Sequence, residues 1–98
     1  MKLARPTDIE ILDALSDGKR NTAANLAYHL DKDRSYINTR LPVLADYGLL
    51  ERVGPAPASG LYEITEKGRV VLEHHDRLDD EDTDFDAFVE EQLDASDS

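Results

Sequence analysis

The chain contains no cysteine. That excludes a disulfide framework, a thiolate zinc site and a cysteine nucleophile. It also fits a reducing cytoplasm, where the protein is expected to reside. No apolar run approaches the roughly 18 residues of a membrane span, and no N-terminal signal segment stands out, so no membrane partner is expected. A glycine-rich phosphate cradle, a nucleophile elbow and a carboxylate pair on a committed cleft are all missing. With 98 residues there is room for one modest core and little for a separate catalytic cleft. An enzyme is therefore not expected, and no cofactor or small-molecule ligand is evident. Of the three histidines, His74 and His75 are adjacent and point about 100° apart on a helix, so they cannot easily share an ion. With His29 they read as surface or half-buried side chains, and no metal site is expected.

Positive charge is missing from the end of the chain. All 11 Lys and Arg lie at or before Arg77. Residues 1–78 hold 12 acids against those 11 bases, whereas residues 79–98 hold the other 10 acids and no base. The formal charge of −11 therefore belongs almost wholly to the tail. The division expected is a near-neutral domain over 1–78 followed by an acidic tail over 79–98. Asp outnumbers Glu 14 to 8 and Arg outnumbers Lys 7 to 4. That skew resembles the proteins of salt-in halophiles, with many short hydrated carboxylates and little lysine.

What is present is a pattern of short elements. Thr7-Asp8-Ile9-Glu10 fits a capping box, which opens a helix over about 8–16 carrying Ile9, Ile11, Leu12 and Leu15 and stopped by Asp17-Gly18. Asn21 or Thr22 caps a second helix over 22–30, with Ala23, Leu26, Ala27 and Leu30 on its apolar face. After the turn Asp31-Lys32-Asp33 a third helix spans 34–47, with Asp33 as N-cap, Ile37, Leu41 and Leu44 facing the core and Gly48 as an αL stop. Strands are expected over 49–53 and 61–64, joined by the Pro/Gly loop Gly54–Gly60. Thr65 caps a fourth helix over 66–78, where Val71, His75 and Leu78 recur at i, i+4 and i+7. The order is ααα-ββ-α, a mainly helical fold with a small hairpin.

This order and four of its pieces carry a resemblance. Asn25-Leu26-Ala27, Arg34-Ser35-Tyr36-Ile37-Asn38-Thr39-Arg40-Leu41, Tyr47-Gly48-Leu49-Leu50-Glu51-Arg52 and Leu61-Tyr62-Glu63-Ile64-Thr65-Glu66-Lys67-Gly68 fall in sequence at fitting spacing. The chain resembles winged helix-turn-helix transcription regulators. More narrowly, it looks like the small repressor-like proteins of halophilic archaea and their phages, the phi-H repressor type. The resemblance covers roughly residues 7–78. It implies sequence-specific binding of double-stranded DNA, acting as a repressor by occupying an operator. It also implies a homodimer, since one short recognition helix reads too few bases and two-fold pairing puts half-sites about 10 bp apart. A winged helix used as a protein-interaction module is the alternative.

In such a module the third helix enters the major groove. The core stripe leaves Arg34, Ser35, Tyr36, Asn38, Thr39 and Arg40 as the reading face. Arginine can fork onto guanine, asparagine can pair with adenine, and hydroxyls reach phosphates. The uncharged loop tip Pro55–Ser59 speaks against insertion of the wing into the minor groove. Arg52 at its base, with Lys19, Arg20 and Lys32, are the candidates for phosphate contacts. Pro42 lacks the N–H that would bond the Asn38 carbonyl. A kink, a new helical turn or a tolerated packing defect are the readings open there.

The tail leaves three readings. Asp79–Thr83 is a charge run that should break order. Beyond it Phe85, Phe88, Val89 and Leu93 recur at i, i+3, i+4 and i+8, one face of a short amphipathic helix over 84–94. The segment is a solvated tail, a helix docked on the body or on a partner subunit, or a DNA mimic that covers the recognition helix.

Overall fold

Polar side chains and glycines set most of the element boundaries in the computed structural model, which describes residues 1–53, 60–77 and 85–96. The loop tip Pro55–Ser59, the charge run Asp79–Thr83 and Leu78 lie outside the described residues. The elements are α1 (Thr7–Ala14), α2 (Ala23–Leu30), α3 (Arg34–Asp46), β1 (Leu50–Val53), β2 (Leu61–Ile64), α4 (Glu66–His74), which runs on as a 3-10 turn over His75–Arg77, and α5 (Phe85–Ser96). This is the expected ααα-ββ-α order with a further helix at the end.

Three caps stand where the sequence puts them. The Thr22 hydroxyl accepts from the Asn25 N–H at 3.2 Å, the Asp33 carboxylate from the Ser35 N–H at 2.7 Å and the Thr65 hydroxyl from the Gly68 N–H at 3.0 Å. Each satisfies a donor that the first turn leaves orphaned, a contribution of about 1 kcal/mol. Gly48 takes the left-handed conformation, with φ of 81°, and turns the chain from α3 into the hairpin.

The capping box at Thr7 is corrected. Thr7 is buried inside the first turn of α1, and the preceding Pro6 makes no side-chain cap. Glu10 pairs instead with Lys32, at 3.3 Å. The physical reason is that the lead-in already satisfies this helix end. The Ala4 carbonyl accepts from the Asp8 N–H, the Pro6 carbonyl accepts from the Glu10 N–H, and the Asp8 carboxylate accepts from the Ala4 N–H. Two helices are also shorter than expected, α1 ending at Ala14 and α4 at His74.

The core lies where α1, α2, α3 and α4 converge beneath the hairpin. Ile11, Leu12 and Leu15 of the α1 segment meet Leu26, Ile37, Leu41, Leu44, Leu49 and Val71, all essentially inaccessible to solvent. At roughly 1.5–3 kcal/mol for each fully buried large side chain, this cluster is the main stabilising term. The strands are antiparallel with Leu50 opposite Ile64 and Val53 opposite Leu61. Asn21 extends the ladder by exchanging two backbone hydrogen bonds with Tyr62, at 2.9 and 2.8 Å, which ties the start of α2 to the hairpin. Gly68 is required by packing: a Cβ there would collide with the Leu49 carbonyl and crowd Ile64.

Helix α5 docks on α4. Phe85 and Val89 are buried, and Phe88 and Leu93 are half-buried, so the apolar face read from the sequence is the face that packs. The Phe88 ring meets His74 edge-on at 5.0 Å between centroids, Lys67 pairs with Glu90 at 3.4 Å, and the Met1 ammonium pairs with Asp86 at 2.6 Å.

Candidate nucleic-acid interface

Helix α3 is held along its inner line and along one flank, and its outer side and the other flank are what remain. Ile37, Leu41 and Leu44 hold the inner line in the core. With about 100° per residue, Ser35, Thr39, Pro42 and Asp46 fall opposite that line. Arg34 and Asn38 fall on one flank, and Tyr36, Arg40 and Tyr47 on the other. Proline does not break the helix, which runs continuously from Arg34 to Asp46 with Pro42 inside it.

The two flanks face different neighbours. The Arg34 and Asn38 flank borders an open groove of about 400 Å³, whose other walls are Thr22 and Ala24 at the start of α2 and Tyr62 of β2. Both residues are exposed, and among the described residues Arg34 has no charged partner. On the opposite flank Tyr47 is tied to the N-terminal lead-in: its hydroxyl accepts from the Lys2 N–H and donates to the Lys2 carbonyl, at 3.0 and 3.2 Å.

Arg40 is where the structure departs most from the reading face drawn by sequence. Its guanidinium forks onto Asp8, Nε donating to Oδ1 at 2.9 Å and Nη2 to Oδ2 at 2.7 Å. Asp8 is fully buried in the first turn of α1, where the helix dipole favours an anion. Its carboxylate therefore accepts from Arg40 and from the Ala4 backbone. The hydrogen bonds to Asp8 and its charge raise the Arg40 pKa above its ordinary value, against the opposing effect of burial, so the guanidinium stays charged throughout the accessible pH range. A buried carboxylate with a bidentate arginine is a lock between α1 and α3, with the Nε–Nη2 edge of the guanidinium turned inward.

The other sequence candidates divide in the same way. Ser35, Tyr36, Asn38 and Thr39 are exposed on α3, with the Thr39 hydroxyl donating to the Ser35 carbonyl at 3.0 Å. Lys32, in the turn between α2 and α3, is held by Glu10 of α1. Arg52 lies on Tyr62, its Nε donating to the phenol oxygen at 3.0 Å and its guanidinium over the ring at 5.7 Å. Arg20 makes only a loose pair with Glu63, at 3.6 Å. No group of three His, Asp or Glu side chains that could hold a metal occurs among the described residues.

Asp8 was missed by the sequence reading, although the periodicity holds a signal for it. It precedes Ile11, Leu12 and Leu15 by three, four and seven residues, which sets it on the stripe that is buried. A carboxylate on an apolar stripe needs a cation, and Arg40, 32 residues on, supplies it.

No family model matches the chain, and no curated protein does. Solved structures do match. BldR, a transcriptional regulator from Sulfolobus solfataricus, is 26% identical with a TM-score of 0.61, covering 90% of this chain and 60% of that one. ZitR from Lactococcus lactis, a zinc-responsive MarR family member, is 24% identical with a TM-score of 0.62, covering 95% and 72%. The Zalpha domain of Cyprinid Herpesvirus3 ORF112, whose binding mode to Z-DNA is described, is 19% identical with a TM-score of 0.56, covering 65% of this chain and 100% of that one. The present chain thus spans about three-fifths of BldR but all of the viral domain. Among the described residues, five α-helices and a two-stranded antiparallel hairpin in this order make the fold a winged helix-turn-helix.

Proposed function

We propose that this chain binds double-stranded DNA sequence-specifically and regulates transcription, as a repressor that occupies its operator. The observation that carries the reading is the outer side of α3. Its N-terminal half offers Arg34, Ser35, Tyr36, Asn38 and Thr39 to solvent, next to an open groove, on a fold shared with DNA-binding regulators. These side chains suit base edges and phosphates. Asp46 on the same line would repel phosphate, whereas the N-terminal end carries the positive pole of the helix dipole. Both favour insertion by the first turns.

Arg52 and Lys32 would add phosphate contacts once they leave their partners Tyr62 and Glu10. Arg40 has a supporting role in this proposal, because the Nε–Nη2 edge of its guanidinium already serves Asp8. The body over 1–78 would carry DNA binding, with the segment over 79–98 contributing α5 as a brace. A homodimer in the cytoplasm of a salt-adapted cell, similar to the phi-H repressor type, is the fuller form of the proposal. The protein-interaction reading needs the phenylalanine-bearing face of the tail, and that is the face α5 turns towards α4.

Gel shift of the full chain against genomic fragments in molar KCl tests the proposal. Retention that survives non-specific competitor and falls in Asn38→Ala is the expected result. Retention no greater than that of competitor would remove the DNA-reading claim.

A further inference from the structure

The geometry of α3 points to a half-site whose core is A·T, flanked on one side by a single G·C pair. The inference rests on the DNA-reading proposal and sharpens its target. Guanine is most often read by a guanidinium or ammonium group forked on O6 and N7. Arg40, the second arginine of the helix, is committed to buried Asp8 through two bonds of 2.9 and 2.7 Å. Arg34, on the first turn, is then the guanine reader.

The next turn carries a different chemistry. Asn38 lies on the same flank as Arg34 and is exposed, and its amide matches the N6 and N7 edge of adenine. Thr39 turns its hydroxyl back to the Ser35 carbonyl at 3.0 Å, which leaves its methyl group for a partner. Pro42, three residues on, adds an apolar ring on the same outer line. A methyl and a pyrrolidine side by side fit the C5-methyl of thymine, the apolar mark of A·T pairs in the major groove. Pro42, which costs the helix one hydrogen bond, thereby acquires a reason to be there.

Spacing follows from helix geometry. Arg34 and Asn38 are one turn apart, about 6 Å along the axis, which is roughly two steps of a 3.4 Å base-pair rise. The guanine should therefore lie about two base pairs from the adenine, and the thymine methyls next to that adenine.

Selection from a random duplex pool by the full chain in molar KCl tests this. The expected motif has an A·T core and a guanine two pairs to one side. On the selected duplex, replacing core thymines by uracil removes only the methyl groups and should weaken binding several-fold, and Thr39→Ser should reduce that sensitivity. Asn38→Ala should relax the adenine and Arg34→Ala the guanine, each by about tenfold in discrimination. Both positions are exposed, and an unchanged melting temperature in each variant confirms folding. An enriched motif with a G·C core, or a core indifferent to uracil, overturns the inference and leaves DNA reading intact. No enrichment at all overturns both.

Discussion

Asp8 and Arg40 are the residues at which position in space, more than residue type, decides the role. Read in isolation, Arg40 is a surface cation on a recognition helix and Asp8 an ordinary helix-start acid. Their partnership joins residues 32 apart, and local patterning cannot see across that distance. The pair is asymmetric. Asp8 is fully enclosed, whereas the Arg40 side chain keeps 17% of its surface exposed. Removing the arginine leaves a buried carboxylate without its cation, and removing the aspartate leaves a guanidinium that can still reach water. Arg40→Ala should therefore lower stability by about 3 kcal/mol or more, and Asp8→Ala by clearly less. Urea denaturation of the two variants checks the order; equal losses would mean that the carboxylate finds another partner. The legible residues were those whose role is local. Thr22, Asp33 and Thr65 cap helices because their hydroxyl or carboxylate oxygens lie within reach of backbone donors two or three residues on.

At the scale of elements, the helices and strands were legible because Ile37, Leu41 and Leu44 repeat at helical spacing and Gly48 can adopt a positive φ. What periodicity gives is a face, and it leaves the partner of that face open. Thus the apolar side of α5 was visible in Phe85, Phe88, Val89 and Leu93, whereas its seat on α4 required the fold. Val89→Asp buries an unpaired charge at that seat. It should destabilise the domain by about 3 kcal/mol or more, seen as a lower melting temperature by circular dichroism. If α5 were dispensable, the melting temperature would not move. Helix α3 makes the converse point. The proline inside it leaves a kink, a new helical turn or a tolerated packing defect open on sequence grounds, and the helix runs from Arg34 to Asp46 with Pro42 inside it. Pro42→Ala restores an N–H opposite the Asn38 carbonyl and should raise the melting temperature. It should also weaken DNA binding if the ring contributes to the reading surface. A variant unchanged in both measurements would leave Pro42 without a role.

For the whole molecule, charge governs both stability and recognition. A formal charge of −11 on 98 residues disfavours the compact state through self-repulsion, which salt relieves. The melting temperature should rise between about 0.1 M and 2 M KCl, as the Debye length falls from about 10 Å towards 3 Å and below. A melting temperature independent of salt would argue that the carboxylates are too dispersed to matter. In molar salt the long-range pull of phosphates on cations is lost as well, so binding there must come from close contacts on α3. The measurement that tests this most directly is fluorescence anisotropy of a selected duplex in 1 M KCl. It compares the full chain with Asn38→Ala and Arg34→Ala, at melting temperatures equal to that of the parent. The account predicts tight, sequence-dependent binding by the parent and a loss of about tenfold or more in each variant. Variants that bind as the parent does, or a parent that binds every duplex alike, would contradict it.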